Sequence, residues 1–127
     1  MNGTTDFDAW LQAQYADTGP FTALMVLVSI DDQGVKPLLS SYVNVIGDEL
    51  TWPEMFALLR VAPGLWDGVG FYIGLTAGGG PLSDAQAKIK LQQVEADVKA
   101  DPLHLNVGRL FDRNGAHLEI RPRALHA

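Results

Sequence analysis

The residues best suited to bind an anion lie in two places, a glycine-rich turn and a late group of arginines. The turn, residues 78–83, reads GGGPLS and joins an apolar segment to a segment with helical periodicity. Backbone amides at the start of a helix hold phosphate or carboxylate groups, because they point at the ligand and the helix dipole favours negative charge. The candidate site for a small anionic ligand combines three turn residues with two arginines: Gly79, Gly80, Ser83, Arg109 and Arg121.

A plain connection is the alternative interpretation of this turn, and it is the one we favour. The turn lacks the Gly-Lys-Ser/Thr ending of a phosphate-binding P-loop, and its glycines do not follow the Gly-x-Gly-x-x-Gly spacing of dinucleotide-binding domains. Ser83 stands three residues before Gln86, which is the arrangement of a helix capping box. Its hydroxyl is therefore expected to accept a backbone hydrogen bond from the helix that follows.

No other arrangement in the chain is typical of catalysis. His104, His117 and His126 are not spaced as metal ligands. The chain has no cysteine, which removes thiol nucleophiles, disulfides and thiolate metal sites, and no Gly-x-Ser-x-Gly sequence marks a serine nucleophile. We therefore predict no metal and no cofactor. Whether the chain is an enzyme stays open, and the lack of a catalytic motif favours a non-catalytic protein.

Charge and hydropathy restrict the class of partner. The net charge of −6 disfavours nucleic-acid binding, because phosphate contacts need clustered Lys and Arg. The longest apolar run, residues 21–30, is too short to cross a bilayer, and the first ten residues do not resemble a secretory signal. We therefore expect a soluble, cytoplasmic protein that binds neither nucleic acid nor membrane.

The charge is unevenly distributed along the chain. Residues 1–87 hold ten acids and two bases, a balance of −8, whereas residues 88–127 hold seven bases and five acids, a balance of +2. A short chain can show such a difference by composition alone. The alternative is a dipolar surface that orients a dimer or attracts anions to the carboxy-terminal part.

Hydrophobic periodicity and capping residues predict three helices. The first covers residues 6–16, because the apolar residues at 7, 10, 11 and 15 share one helical face. The second begins at the capping box TWPE, residues 51–54. The third follows Ser83, has an apolar stripe at positions 87, 91, 94 and 98, and ends before Pro102.

Five strands are predicted between and after these helices. The first, residues 21–30, is apolar on both faces and therefore belongs in the interior of the sheet. The second, residues 35–46, contains Pro37, which cannot donate a ladder hydrogen bond, so this strand is expected either at an edge or to start only after residue 37. The remaining strands are predicted at residues 68–76, 105–112 and 116–121.

The third strand has one bulky face and one nearly bare face. Gly68, Gly70 and Gly74 alternate with the large residues of the sequence GVGFYIG. Glycine inside a strand marks the close approach of another group. We favour tight packing of a helix, with Ala87 of the third helix as the expected contact, over the alternative of a floor beneath a ligand.

The last hairpin has a predicted register. A three-residue loop sets Leu110 opposite Leu118 and Arg109 opposite Glu119, which pairs apolar with apolar residues and opposite charges with each other. Such cross-strand pairs each stabilise a sheet by roughly 0.2–1 kcal/mol. A two-residue loop would lose both pairs, so we predict the three-residue loop.

These elements predict an α+β protein in the order α-β-β-α-β-α-β-β, with a five-stranded, mainly antiparallel sheet and three helices. Residues 1–127 are expected to form one domain, with residues 1–5 and 122–127 as frayed termini. Two strands are apolar on both faces, so three helices on one side would leave an apolar sheet face exposed. A homodimer through that face, or helices on both faces, would each cover it, and we favour the dimer.

Two functions are compatible with these observations. The first is a non-catalytic binding or interaction module that acts as a homodimer or with a protein partner, as an acidic protein steered onto a basic partner would. The second is a small enzyme or ligand-binding domain that recognises an anionic small molecule at residues 78–83 and the late arginines. No motif of the chain supports a resemblance to a known family.

Overall fold

The computed structural model describes residues 4–60 and 66–121, and the elements follow the predicted order. They are α1 (Asp6–Thr18), β1 (Phe21–Asp31), β2 (Gly34–Val45), α2 (Trp52–Leu59), β3 (Gly68–Gly74), α3 (Asp84–Ala100), a 3₁₀ helix (Pro102–Asn106), β4 (Arg109–Asp112) and β5 (His117–Leu118). The strands form one antiparallel sheet in the order β2-β1-β3-β4-β5. The chain is therefore a single small α+β domain, as predicted.

The positions of β1 and β2 in the sheet follow from their side chains. Strand β1 is buried without interruption from Phe21 to Val28 and lies between β2 and β3. Strand β2 lies at the edge, and its Pro37 stands opposite Val28 where the register of the two strands shifts. Both positions confirm the predictions, because a strand that is apolar on both faces needs neighbours, and proline needs a place where no ladder hydrogen bond is required.

The helices are divided between the two faces of the sheet. Helices α1 and α2 cover one face, where Phe7 and Met55 are fully buried. Helix α3 and the 3₁₀ helix cover the other, where Val98 and Leu105 are fully buried. Within the described residues, neither sheet face is left bare as expected, because α1 packs over Phe71 and its neighbours. Helices on both faces are thus the correct alternative, and dimerisation through a bare sheet face is not.

The bare face of β3 is filled by two leucines. A Cβ atom added at Gly70 would lie 2.8 Å from a methyl carbon of Leu105, and one added at Gly74 would lie 2.6 Å from a methyl carbon of Leu82. The packing interpretation is therefore confirmed for these two glycines. The contacts come from side chains that flank α3, whereas we had expected Ala87 of the helix itself.

The last hairpin has the predicted register over its short length. Leu110 pairs with Leu118, and the amide of Asp112 donates to the carbonyl of Ala116 across a three-residue loop that ends at Gly115, with φ of +78°. Strand β5 contains only two residues, so the expected pair of Arg109 with Glu119 is not part of the ladder.

The fourth strand is shorter than predicted at its amino-terminal end. Residues 105–108 were expected in this strand, but Leu105 lies in the 3₁₀ helix and β4 begins at Arg109. Pro102 begins the 3₁₀ helix, and the Asp101 side chain caps it by accepting a hydrogen bond from the amide of Leu103 at 3.0 Å. A proline at the start and an aspartate cap favour a helical turn over an extended strand.

The start of α1 is fixed by a capping box that the prediction of frayed residues 1–5 missed. The hydroxyl of Thr5 accepts from the amide of Asp8 at 3.1 Å, and the Asp8 carboxylate accepts from the amide of Thr5 at 3.1 Å. Thr5 is therefore an ordered N-cap. The other predicted frayed residues lie outside the described ranges, except Thr4.

The same Asp8 carboxylate connects the two helices of its face. Its second oxygen accepts from the amide of Trp52, the first residue of α2, at 2.7 Å, and the side chain is only 7% exposed. The indole of Trp52 donates to the carbonyl of Arg113 at 2.9 Å and lies against Gly115. Two helix starts and the last hairpin thus meet around one carboxylate and one indole.

We predict that Asp8→Ala destabilises the fold by about 3 kcal/mol, because one buried and one partly buried amide donor lose a charged acceptor at helix amino termini. Chemical denaturation monitored by circular dichroism measures this change. Asp17→Ala, which removes an exposed carboxylate from the same helix, is the matched control and should alter stability by less than about 0.5 kcal/mol. Equal effects of the two variants would contradict the role given to Asp8.

We predict different changes in stability for Gly→Ala variants at two glycines only four positions apart. Gly74→Ala should destabilise the fold by about 1–3 kcal/mol, because its Cβ would overlap Leu82 and press on Thr22. Gly78→Ala should be neutral within about 0.5 kcal/mol, because no atom lies within 4 Å of its Cβ position. Thermal unfolding of the two variants measures both changes. It distinguishes an effect of packing around the added Cβ from an effect of reduced backbone freedom, which both variants share.

Candidate functional site

The glycine-rich turn uses its own backbone groups. The amide of Gly79 donates to the carbonyl of Thr76 at 3.0 Å, and the amide of Thr76 donates to the carbonyl of Gly80 at 3.0 Å. Ser83 accepts from the amide of Gln86 at 3.2 Å and so caps α3 as predicted. The turn is closed on itself, which agrees with a plain connection.

The five residues of the predicted anion site do not come together. The turn lies at the Thr22 end of β1, because the amide of Leu82 donates to the Thr22 hydroxyl at 2.8 Å. Arg121 lines a cavity with Ile30 and Asp31 at the other end of the same strand. The eight residue-to-residue steps from Thr22 to Ile30 span about 26 Å at a rise of about 3.3 Å per residue. Gly79, Gly80 and Ser83 therefore cannot share a small ligand with Arg121.

Arg109 lies at a different place, beside the end of β3. The pairing of β3 with β4 stops at Phe71 and Arg109, whereas β3 continues to Gly74. The gap beside the last residues of β3 is a cavity of about 460 Å³ between α1 and α3, which we call the β3-edge cleft. Polar side chains from several elements line it: Gln14, Lys90, Gln93, Asp97, His104 and Arg109.

Three side chains in one wall of the β3-edge cleft contact each other in series. The Tyr72 hydroxyl lies 3.0 Å from Nδ1 of His104 and donates to the carbonyl oxygen of the same residue at 2.8 Å. Nε2 of His104 lies 3.5 Å from a carboxylate oxygen of Asp97. The Tyr72 and His104 rings are stacked, with centroids 5.4 Å apart. These contacts hold the 3₁₀ helix against β3 and α3.

Burial and the nearby Asp97 carboxylate raise the pKa of Tyr72 above the ordinary value of 10.0. Burial is the larger cause, because the ionised phenolate would lose water, and the negative charge of Asp97 adds to it. Tyr72 is therefore a protonated hydrogen-bond donor at neutral pH, which suits positioning rather than proton abstraction.

Sequence reasoning missed this wall of the cleft. His104 was considered only as a metal ligand, and its partners Tyr72 and Asp97 belong to β3 and α3. Tyr72 is separated from His104 by 32 residues, so no local spacing could have paired them. Asp97 and His104 are seven residues apart, but a proline start and a helix end lie between them.

A second surface lies along the outer side of β2. Pro37, Lys36 and the register shift interrupt the amino-terminal part of this edge. The part from Leu39 to Val45 has no charge and no proline. Apolar side chains stand exposed beside it at Leu39, Ile46 and Leu58, with exposed fractions of 45%, 70% and 51%. We call residues 39–45 of the strand, with Ile46 and Leu58, the β2-edge surface.

Within residues 4–60 and 66–121, no three His, Asp or Glu side chains are placed to hold a metal ion together. Nor does any helix in those ranges have the length and apolar character needed to span a bilayer. Comparison of the chain with models of protein families, with curated proteins and with solved structures found no match. The residues themselves must therefore carry any functional argument.

We predict that the stability of the protein falls above pH 10 and that Tyr72 contributes to the fall. The unfolded phenol ionises near pH 10 whereas the folded phenol keeps its proton, so the folded state binds more protons and loses up to about 1.4 kcal/mol per pH unit. Tyr72→Phe should cost about 1 kcal/mol at pH 7 through the lost hydrogen bond.

Denaturation of both proteins from pH 8 to pH 11.5 measures the two effects separately. The difference in stability between them should shrink as the pH rises above 10. A difference that stays constant across this range would show that Tyr72 ionises equally in both states.

Proposed function

We propose that this chain is a non-catalytic interaction module that forms a homodimer through the β2-edge surface. The observation that carries the proposal is the uncharged, regular strand edge from Leu39 to Val45. Edge strands present unpaired amide and carbonyl groups, and soluble proteins protect them with charges, proline or bulges. Here such protection covers only the first part of the strand, around Lys36 and Pro37.

A second copy of the chain suits this edge better than an arbitrary strand. Antiparallel pairing about a two-fold axis at Ser41 sets Leu39 opposite Val43 of the second copy, and Ser40 opposite its Tyr42. Within residues 39–43, each apolar residue then faces another apolar residue, and each polar residue faces a hydroxyl-bearing residue. A two-fold interface repeats every contact, so each favourable side-chain pair of this register occurs twice.

The side chains on the two faces of β2 favour docking along the edge of this strand rather than against a face of the sheet. On the α3 face, Ser40 bonds to Glu95, and the Tyr42 hydroxyl donates to Asp84 at 3.2 Å. On the α2 face, Leu39 is half exposed, and Val43, Ile46 and Leu58 line a groove of about 300 Å³ together with Glu49 and Glu54. With the two-fold axis at Ser41, Leu39 of each copy would contact Val43 of the other and remove apolar surface from water.

We propose the cytoplasm as the setting, supported by the lack of cysteine and the acidic composition. A different protein that adds a strand to the same edge is the alternative partner. The two arrangements use the same backbone groups and differ in mass and symmetry.

The dimer is tested first by sedimentation or native mass spectrometry of the purified protein. We expect twice the 13.8 kDa chain mass. Ser41→Lys should weaken the dimer by about 1–3 kcal/mol, because the two-fold axis brings two ammonium groups together. Gln12→Lys, with the same charge change on an exposed position of α1, should leave the mass unchanged. A monomer at all concentrations would overturn the homodimer, and a strand-adding partner would then be sought.

Cysteine substitution tests the register. The chain has no cysteine of its own, so Ser41→Cys introduces one thiol per copy. Opposite residues of an antiparallel pair have Cα atoms about 4.5–5.5 Å apart, within the range for a disulfide. We expect a covalent dimer on mild oxidation of Ser41→Cys and none for Gln12→Cys. A dimer that forms without this cross-link would place the interface elsewhere.

A further inference from the structure

The β3-edge cleft offers backbone groups as well as charges. A Cβ at Gly108 would lie 2.3 Å from the carbonyl oxygen of Phe71, so this oxygen points towards β4. Backbone groups of residues two apart in a strand point to the same side. The amide and carbonyl of Ile73 therefore point past the end of β4 into the cleft, and no described residue forms a hydrogen bond with them.

Two cationic side chains stand at this open piece of strand. Lys90 comes from α3 and Arg109 from the first position of β4, and both are exposed. Neither has a carboxylate oxygen within 4.0 Å among the residues that the structure describes. The acid that lines the cleft, Asp97, contacts His104. Among the described residues, no carboxylate pairs with these two positive groups, which favours a ligand carboxylate.

Apolar side chains complete the lining. Trp10 and Phe71 lie on the α1 side, and Val94 and Val107 lie on the α3 side and at the end wall. Gly108 closes the inner corner, where a Cβ would also stand 3.1 Å from the Tyr72 ring. A cavity of about 460 Å³ that combines apolar side chains with several polar ones has the size of a small-molecule site.

We infer that the β3-edge cleft binds an acyl-amino-acid unit that ends in a carboxylate. The ligand amide pairs with the backbone of Ile73 as an added piece of strand, the carboxylate binds Arg109 and Lys90, and the side chain lies against the apolar walls. A free N-acyl amino acid and the carboxy-terminal end of a peptide both present this chemistry. The cleft lies away from β2, so this site does not depend on the proposed dimer.

The binding experiment uses N-acetylleucine, acetyl-alanyl-alanyl-leucine and the carboxamide form of each, titrated into the protein by calorimetry. We expect each acid to bind at least about tenfold more tightly than its amide. A tripeptide that binds more tightly than N-acetylleucine identifies a peptide end as the source, and equal affinities identify the free acyl amino acid. Equal binding of acids and amides, or no binding of any probe at about 10 mM, would overturn the inference.

Charge-removing variants locate the site. Arg109→Gln and Lys90→Gln should each weaken binding of the acids about tenfold and leave the amides unchanged. Lys88→Gln, on the same helix but outside the cleft lining, is the matched control and should stay within about twofold of the original protein. Ser41→Lys should also leave binding unchanged, which separates this site from the dimer. Unaltered affinity in both cleft variants would refute the assignment.

Discussion

The burial of β1 on both faces is the constraint on which the rest of the structure depends. Eight consecutive residues from Phe21 to Val28 are buried, so neighbouring strands and helices must enclose this strand on every side. Helices α1 and α2 cover one face, and α3 with the 3₁₀ helix covers the other. This cover protects the central strands but does not extend past the outer side of β2 or the end of β3. The outer side of β2 and the end of β3 are therefore open for the same reason, because the helices cover only the central strands.

Helix α1 is also hydrogen-bonded directly to the last hairpin. The amide of Phe7 donates to the carbonyl of Gly115 at 3.0 Å, and the amide of His117 donates to the Asp6 carboxylate at 2.9 Å. Together with the bond from Trp52 to Asp8, these contacts join segments that are far apart in sequence. Helix α1 is thereby held over β3 and β4, where it forms one wall of the β3-edge cleft.

Local patterns predicted the elements well, and long-range contacts account for what they missed. The Ser83 cap, the edge position of the Pro37 strand and the Leu110–Leu118 pair depend on residues close in sequence or joined by a short turn. Tertiary packing decides which face of the sheet each helix covers. It also separates Gly79 from Arg121, which local patterns could not show. Arg109 lines the β3-edge cleft without the other four residues of the predicted anion site, and its neighbour Lys90 joins it there only through the fold.

The glycines of β3 relate the packing of the core to the opening of the cleft. Gly70 leaves room for Leu105, whose methyl carbon would lie 2.8 Å from any added Cβ. Leu105 holds the 3₁₀ helix over the face of β3, so the chain can join the edge of that strand only at Arg109. This packing adds to the Pro102 start and the Asp101 cap in keeping β4 short, and no described residue hydrogen-bonds to the backbone of Ile73. The space left by Gly70 thus lets the 3₁₀ helix pack beside the open end of the sheet edge.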